Sequence, residues 1–260
     1  MIDAVTPKSS AASAKRGGVR LWIGHAIYRL SARIHFAEPE IRGLGKFVHP
    51  GDSVLDVGAA LGMYTVPLAH IVGPSGRVDS FDPQPRNFYV TRFLRSINGV
   101  KNGLIRRIAL GPKPGESSIA VPIILGLPIF GHGHISEGVD EGSRRIRYTP
   151  TPVDTIDDWV TREGIARISY IKVDVEGFEP SVIEGGRATI TRDLPSLMLE
   201  IEDRHLVRYG RDAAGFVGEI LGMWPAYKMY TWSGNDWVRV DEVKPSVRNY
   251  LFATDAALAS

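Results

Sequence analysis

Acidic residues end four apolar stretches of the sequence, and this placement suggests chemistry at one edge of a sheet. The four residues are Asp56, Asp82, Asp174 and Glu200. Asp56, Asp174 and Glu200 follow short runs rich in apolar residues, which are typical of buried strands, and Asp82 follows a predicted strand that contains Val78 and Phe81. Open α/β sheets bind their ligands at the carboxyl ends of their parallel strands. We therefore expect the four carboxylates to surround one ligand site.

A glycine turn follows the first of these acids. Gly58 and Gly62 separate the run that ends at Asp56 from a candidate helix at residues 63–71. The spacing lacks the G-x-G-x-x-G pattern of dinucleotide sites, and a carboxylate here would repel a pyrophosphate. It would attract a ligand with an ammonium group and no phosphate, such as S-adenosylmethionine. The alternative is an ordinary strand-to-helix turn in which Asp56 caps the helix.

The second acid stands where a nucleoside ligand needs one. Asp82 follows residues 77–81, Arg-Val-Asp-Ser-Phe, which we interpret as the next strand. It lies about 20 residues beyond the glycine turn, and an acid at the end of the second strand commonly binds ribose hydroxyls. A charge-assisted hydrogen bond of this kind contributes about 1.5–3 kcal/mol. The alternative is local turn chemistry, since Pro83 follows directly.

Three acids in the second half of the chain form a candidate metal site. Asp174 ends one predicted central strand, and Glu200 and Glu202 share a face of its neighbour because strand side chains alternate. Carboxylate oxygens suit Mg²⁺ or Ca²⁺ better than Zn²⁺. A bound Mg²⁺ would activate an acceptor hydroxyl. The alternative makes Asp174 a cofactor contact and Glu202 a helix cap or salt-bridge partner.

Two histidines are candidates for the base that removes a hydroxyl proton. His205 follows the acid-tipped residues 197–202, and His134 lies with His132 in the glycine-rich stretch 122–145. We expect that stretch to be a long exposed loop, which in a compact domain is usually functional or mobile. The alternative is that the loop histidines are simply solvated.

Composition narrows the class of protein. The chain has 260 residues, a formal charge of +2 and 43% hydrophobic residues, as expected for one α/β domain with appendages. The mild charge gives no indication of binding to nucleic acid or to a membrane surface. The absence of cysteine excludes disulfides, thiolate zinc sites and cysteine nucleophiles. Without a signal peptide or an 18-residue apolar run, we expect a cytoplasmic protein.

The order of predicted elements indicates the fold class. Residues 1–18 suggest a flexible tail, and residues 19–48 an N-terminal helical segment that covers the cofactor, contacts a second copy in a homodimer or packs on the main domain. Residues 49–260 alternate strands and helices and close with a hairpin and a last strand. This order predicts an α/β fold with an open, mostly parallel sheet, helices on both faces and one antiparallel strand.

Three blocks of sequence resemble the FkbM-type family of S-adenosylmethionine-dependent methyltransferases. They are DVGAALGMYT at 56–65, FDPQPRNF at 81–88 and KVDVEGFE at 172–179, and the last is the most specific. The family usually has Asn at the position of Ala60 and Glu at that of Asp82. The resemblance implies a Rossmann-like, seven-stranded methyltransferase sheet for the domain at residues 49–260.

The resemblance also implies an activity, O-methylation of a sugar or glycoside hydroxyl, such as that of a mannoside, or of a polyketide-type metabolite. The implied cofactor-binding residues are Asp56, Gly58, Ala59, Ala60, Tyr64, Thr65, Asp82, Pro83, Asn87 and Asp174. Two other classes compete with it. Ala60 and Asp82 favour a binding protein with a decayed cofactor site. A nicotinamide-dependent oxidoreductase is disfavoured by the missing third glycine and by Asp56.

Overall fold

The computed structural model describes residues 38–124, 127–128, 133–136 and 146–259. The predicted tail, residues 19–37 of the predicted N-terminal helical segment and His132 lie outside the described residues, and the predicted domain division stays a prediction. The described chain starts with Glu38 and a 3₁₀ helix, Pro39–Lys46. Among the helices of this part of the chain, none has the length and apolar character needed to cross a membrane.

The main sheet carries the predicted acids at one edge. Its strands are β1 (Ser53–Val57), β2 (Arg77–Phe81), β3 (Ile105–Arg106), β9 (Tyr170–Val173), β10 (Ser196–Glu200), β11 (Lys228–Trp232), β12 (Trp237–Arg239) and β13 (Asn249–Ala253). Within the described residues the order is β12-β11-β13-β10-β9-β1-β2-β3. Strands β10, β9, β1, β2 and β3 pair in parallel, and β13 pairs antiparallel with β10. The predicted α/β fold is confirmed, with β12 as an additional edge strand.

Helices follow the strands as the sequence predicts. They are α1 (Thr65–Val72), α2 (Pro85–Ile97), α3 (Ile156–Arg162), α4 (Glu179–Glu184), α5 (Arg187–Asp193), α6 (Asp203–Leu206), α7 (Ala213–Met223) and α8 (Asp255–Ala259), with a second 3₁₀ helix at Val207–Tyr209. Proline lies in the first turn of α2 and of α4, where its missing N–H is tolerated. Thr155 caps α3, since its hydroxyl accepts a hydrogen bond from the Asp158 amide.

The main sheet is covered on both faces. In β1, Val54 packs into one hydrophobic cluster, whereas Leu55 and Val57 pack into the other. Alternating side chains of a strand point to opposite faces, so both faces of β1 are buried. A parallel sheet needs this double cover, which explains the nearly continuous apolar runs in the sequence.

A second sheet occupies part of the stretch expected to be a loop, and here the prediction is wrong. Its strands are β4 (Ala109–Leu110), β5 (Gly115–Ile124), β6 (Leu127–Pro128), β7 (His134–Ser136) and β8 (Ile146–Asp154). Strand β5 pairs antiparallel with β6, β7 and β8, and its backbone groups are therefore satisfied. This sheet brings residues of β5 and β7 over the carboxyl edge of the main sheet.

Candidate active site

A cavity of about 250 Å³ lies where β1, β2, β9 and β10 end. Pairs of loops from these strands form two of its sides, and Glu38 and the second sheet complete it. We call residues 56–65 and 82–87 the first wall. We call residues 172–179 and 200–205, together with Arg248, the second wall. The four acids that the sequence analysis placed at one edge all line this cavity.

Gly58 brings the two walls into contact. Its φ of +85° lies in the left-handed region, and a Cβ atom at this position would lie 1.8 Å from the Asp174 carbonyl oxygen. Only glycine allows both the conformation and this approach. The Gly58 and Ala59 amides donate to the Phe81 carbonyl at 2.9 and 3.0 Å, which fixes the turn to β2. Ala60 also has a left-handed backbone, with φ of +43°.

Asp56 is buried in the first wall beside α1. Its Oδ2 accepts a hydrogen bond from Thr65 Oγ1 at 2.5 Å, and Thr65 Oγ1 lies 3.0 Å from Ser80 Oγ. Burial raises the pKa of Asp56 to about 6. The structure therefore brings Asp56 and Thr65, two of the predicted cofactor residues, together. The hydrogen-bond donor nearest to the Asp56 carboxylate is an uncharged hydroxyl.

Asp82 organises the rest of the first wall. Its carboxylate accepts hydrogen bonds from the Ala60 amide at 2.8 Å, the Gln84 amide at 2.8 Å and Asn87 Nδ2 at 3.0 Å. Burial nonetheless raises the pKa of Asp82 to about 7. Pro83 lines the cavity beside it. These contacts bring Ala60, Asp82 and Asn87 together, as their shared role in the sequence analysis requires.

Tyr64 connects the first wall to a residue that the sequence analysis missed. Its hydroxyl donates to Glu38 Oε2 at 2.6 Å, and Asn249 Nδ2 donates to the same oxygen at 2.9 Å. Glu38 and Asn249 are 211 residues apart in sequence. No local pattern could have paired them.

Lys172 places a buried positive charge in the second wall. Its Nζ lies 3.2 Å from Asp174 Oδ2, donates to Asn249 Oδ1 at 2.7 Å and lies 5.0 Å from the centre of the Tyr64 ring. Burial disfavours this charge, but Asp174, Glu38 and Glu200 outweigh it and raise the pKa of Lys172. The lysine belongs to the KVDVEGFE block, so the signal was present in the sequence without a role attached.

His205 lies between two carboxylates of the second wall. Its Nε2 is 3.1 Å from Glu176 Oε2, and its Nδ1 is 3.5 Å from Glu200 Oε2. Arg248 Nη2 donates to the other oxygen of Glu200 at 2.8 Å. The Glu200 carboxylate raises the pKa of His205 against the effect of burial, and Glu176 adds to it. His205 does not itself line the cavity, and its role as the base stays a prediction.

Glu176 is a further residue without a predicted role. It lines the cavity and has a φ of +58°, an uncommon conformation for a residue with a side chain. Glu179 holds the loop around it, since its Oε1 accepts from the Val175 amide at 2.8 Å and the Gly177 amide at 3.3 Å. The sequence signal was the Glu-Gly pair in the most specific block.

Glu202 requires a correction. Strand β10 ends at Glu200, and Glu202 lies beyond it and outside the cavity lining. Its carboxylate accepts hydrogen bonds from Arg204 at 2.8 Å and from Arg248 Nε at 2.6 Å. Although burial opposes the shift, both arginines lower the pKa of Glu202 to about 2. It is a salt-bridge partner, the alternative that the sequence analysis left open.

His134 is also placed differently from the prediction. It is 5% exposed and lies in β7, where it lines the cavity opposite the main sheet. The predicted exposed-loop position is therefore wrong, while a place at the site is compatible with the structure.

Within the described residues, the group whose candidate ligand atoms lie within 4.8 Å of one another is Glu176, Glu200 and His205. The predicted set of Asp174, Glu200 and Glu202 does not form such a group.

Comparisons with known proteins identify the family of the chain. The model of the methyltransferase FkbM domain matches residues 56–222. The protein 31-O-demethyl-FK506 methyltransferase FkbM of Streptomyces tacrolimicus is 26% identical over 204 residues, which cover 69% of this chain and 73% of that protein.

Two solved structures are similar at low identity. Methyltransferase FkbM from Methylobacillus flagellatus KT is 17% identical with a TM-score of 0.48, over 83% of this chain and 50% of that one. The chain therefore spans half the length of that protein. An O-methyltransferase from Bacillus cereus in complex with SAH is 10% identical with a TM-score of 0.48, over 91% of this chain and 90% of that one. Since the family match covers residues 56–222 of 260, the chain belongs to the FkbM methyltransferase domain family.

Proposed function

We propose that the protein transfers a methyl group from S-adenosylmethionine to a hydroxyl group of a small molecule. The observation that carries this proposal is the chemistry of the first wall. Asp56 and Asp82 are buried carboxylates whose contacting donors are a hydroxyl, two amides and a carboxamide, all uncharged. Burial of such acids is relieved by a cationic ligand. S-adenosylmethionine carries an ammonium and a sulfonium group and no phosphate.

The lining of the cavity fits the rest of this cofactor. Asp82, at the end of β2, is placed to hold ribose hydroxyls. Phe81, Ile108 and Leu110 offer an apolar surface for the adenine ring of the cofactor. Among the described residues, none donates a hydrogen bond to Gln84 Oε1, which is buried in this lining, so this oxygen can accept from an amino group. When bound, the cofactor would supply a methyl group on a positively charged sulfur.

The acceptor is proposed to be a sugar or glycoside hydroxyl, such as that of a mannoside. A second candidate is a non-sugar metabolite, which is supported by the name of the relative that acts on 31-O-demethyl-FK506. Exposed aromatic rings at the site would favour a sugar, because they can stack on its faces. Trp224, Tyr227 and Trp237 give no such support, since they are 3–7% exposed and pack in the core. Domain boundaries at residue 49 and a homodimer remain part of the proposal.

Metal assistance fits the predicted ligands poorly. Asp174 faces Lys172, Glu200 faces Arg248, and Glu202 is bound by two arginines. Each carboxylate thus already faces a cation of the chain, and the three do not form a shared oxygen cage. The proposed reaction therefore includes no step that uses Mg²⁺, and the assay below is run with and without the ion.

Calorimetry with S-adenosylhomocysteine tests the cofactor. We expect saturable binding by the full chain and binding weaker by about 10- to 150-fold in Asp82→Asn, as for the loss of a charge-assisted hydrogen bond. Asp236→Asn, which changes an acid paired with Lys46 on the surface, is the matched control. Wild-type protein without saturable heat would show that the chain is a binding protein with a decayed site or serves another ligand.

A methyl-donor assay tests the acceptor. Hexosides, oligosaccharides and hydroxylated macrolides are offered with labelled S-adenosylmethionine, with added Mg²⁺ or with EDTA. We expect label in a base-stable ether of one hydroxyl compound. Label found in a methylated amine or a carboxyl ester would contradict methylation of a hydroxyl group. Full activity in EDTA would exclude a metal requirement.

A further inference from the structure

We propose that Glu176 is the general base that removes the proton from the acceptor hydroxyl, and that His205 is the residue that positions it. This inference rests on the proposed function. A hydroxyl is a poor nucleophile until a nearby group takes its proton. The sequence analysis assigned this task to His205 or His134, and the contacts of the second wall favour a different residue.

The backbone of Glu176 supports a functional role. The residue adopts a left-handed conformation that residues other than glycine rarely hold. The next residue, Gly177, has a φ of +101°, and a Cβ atom there would lie 2.5 Å from the His205 carbonyl oxygen. Arg208 Nη1 donates to the Glu176 carbonyl at 3.2 Å. Packing and hydrogen bonds therefore hold a strained residue at the cavity, an arrangement typical of active sites.

The contacts of His205 explain why the histidine is not the base. Carboxylates lie at both of its ring nitrogens, at 3.1 Å and 3.5 Å. A neutral imidazole donates from one nitrogen only, whereas an imidazolium donates from both. Within the described residues the 3.5 Å contact at Nδ1 is not a hydrogen bond, so Glu200 acts on the ring through its charge. The negative charge on both sides favours the charged ring, in which neither nitrogen accepts a proton. His205 also lies behind the cavity lining, while Glu176 and Glu200 reach it.

Glu176 is better placed than Glu200 to take the proton. Arg248 Nη2 donates to one oxygen of Glu200 at 2.8 Å, so that carboxylate is already engaged by a cation of the chain. Glu176 has a side chain that is 16% exposed, so it can reach a ligand in the cavity. The charged groups around it are His205, Glu200, Asp174 and Arg204.

The proposed step conserves atoms and electrons. The acceptor oxygen forms a bond to the methyl carbon while the methyl–sulfur bond breaks, and the electron pair of that bond stays on sulfur. The hydroxyl proton moves to the carboxylate of Glu176. It then leaves to solvent when the product is released, which restores the carboxylate next to charged His205.

The first test measures the Glu176–His205 pair without an acceptor. The imidazole protons of His205 are followed by NMR titration of the full chain saturated with S-adenosylhomocysteine, and His205→Gln identifies the signal. We expect His205 to titrate above the ordinary value of about 6.5, and Glu176→Gln to lower its pKa by about one unit. A wild-type His205 that titrates at or below the ordinary value would overturn the proposal.

The second test measures turnover of the acceptor found in the methyl-donor assay. We expect Glu176→Gln to lower kcat by about 10²- to 10⁴-fold and to leave S-adenosylhomocysteine affinity within about threefold. Glu176→Asp should restore part of the rate. His205→Gln should shift the midpoint of the pH–rate profile to higher pH, because the carboxylate loses its positive partner. A residue with a merely structural role would not move this midpoint.

Glu184→Gln is the matched control, since Glu184 lies in the nearby helix α4 with a 56% exposed side chain and pairs with Arg187. Unchanged turnover in Glu176→Gln would overturn the proposal. Binding of Mg²⁺ or Mn²⁺ that Glu176→Gln abolishes would also overturn the proposal, since Glu176, Glu200 and His205 would then be metal ligands. If S-adenosylhomocysteine binds but no hydroxyl is methylated, O-methylation fails, and the base assignment fails with it.

Discussion

The two walls of the cavity hold their carboxylates with different partners. In the first wall, Asp56 and Asp82 accept hydrogen bonds from uncharged groups. In the second wall, Asp174, Glu176 and Glu200 face Lys172, His205 and Arg248 in that order. Acids with uncharged partners await positive charge, whereas acids with cationic partners are already compensated. The first wall therefore suits a cationic cofactor, and the second suits the acceptor and its proton.

The largest effect is expected where the walls touch. Gly58→Ala adds left-handed strain of about 1–2 kcal/mol and forces a Cβ atom against the Asp174 carbonyl oxygen, so we expect a loss of about 4 kcal/mol of unfolding free energy. Gly73→Ala is the control, since Gly73 has a φ of +65° and open space around it. Urea unfolding measures both, and equal losses would show that contact between the walls is unimportant.

The cations of the second wall give the next effect. Lys172→Met removes the cation beside half-buried Asp174 and buried Glu200, and we expect a loss of about 3 kcal/mol. Lys228→Met, which removes a lysine paired with exposed Asp255, should cost at most about 1 kcal/mol. Urea unfolding at pH 7 checks both variants. A small loss in Lys172→Met would mean that the two walls do not differ in charge compensation.

The acids of the first wall should make stability depend on pH. Burial raises the pKa of Asp56 to about 6 and that of Asp82 to about 7, from ordinary values near 3.8. The folded state therefore keeps these protons to higher pH than the unfolded state, and stability falls as pH rises through the folded pKa values. Between pH 5 and 8, the free energy of unfolding should therefore decrease by about 2 kcal/mol less in Asp82→Asn than in the wild type, as urea unfolding at several pH values would measure. Parallel wild-type and variant curves would contradict the expectation.

The smallest effect concerns the backbone of the first wall. Ala60 has a φ of +43°, a conformation that Asn tolerates better than Ala. Ala60→Asn should raise the free energy of unfolding by about 0.5 kcal/mol. Ala256→Asn, at an exposed position of α8, should lower it by about 0.5 kcal/mol. Differential urea unfolding measures both, and a loss at Ala60 would show that the turn needs the smaller side chain.

Local patterns predicted the elements that carry the first wall. The apolar run of β1, the glycine turn and the acid after β2 fall within residues 53–82, and each gives its own local signal in the sequence. The sheet of β5, β7 and β8 was missed because its pairings join residues separated by glycine-rich sequence. Propensity says little about such pairings, which depend on cross-strand packing.

Side-chain partners in the second wall were harder to predict than its backbone. The acid at the end of β9 was evident, but the lysine beside it reads as a solvated residue until the strand is known to be buried on both faces. His205 looked like a base because its sequence neighbours include Glu202. The partners that determine its charge are Glu176 and Glu200, which approach from two different strand ends. Tertiary contact, rather than composition, decides the state of that ring.

The bonds from Glu38 to Tyr64 and Asn249 have a consequence for the order of folding during synthesis. Glu38 emerges early from the ribosome, whereas its partner Asn249 is made 211 residues later. Closing so long a loop is entropically expensive and slow compared with local contacts. The glycine turn and the first parallel strands can therefore form on the nascent chain, while the pocket stays open on one side until β13 is released and docks.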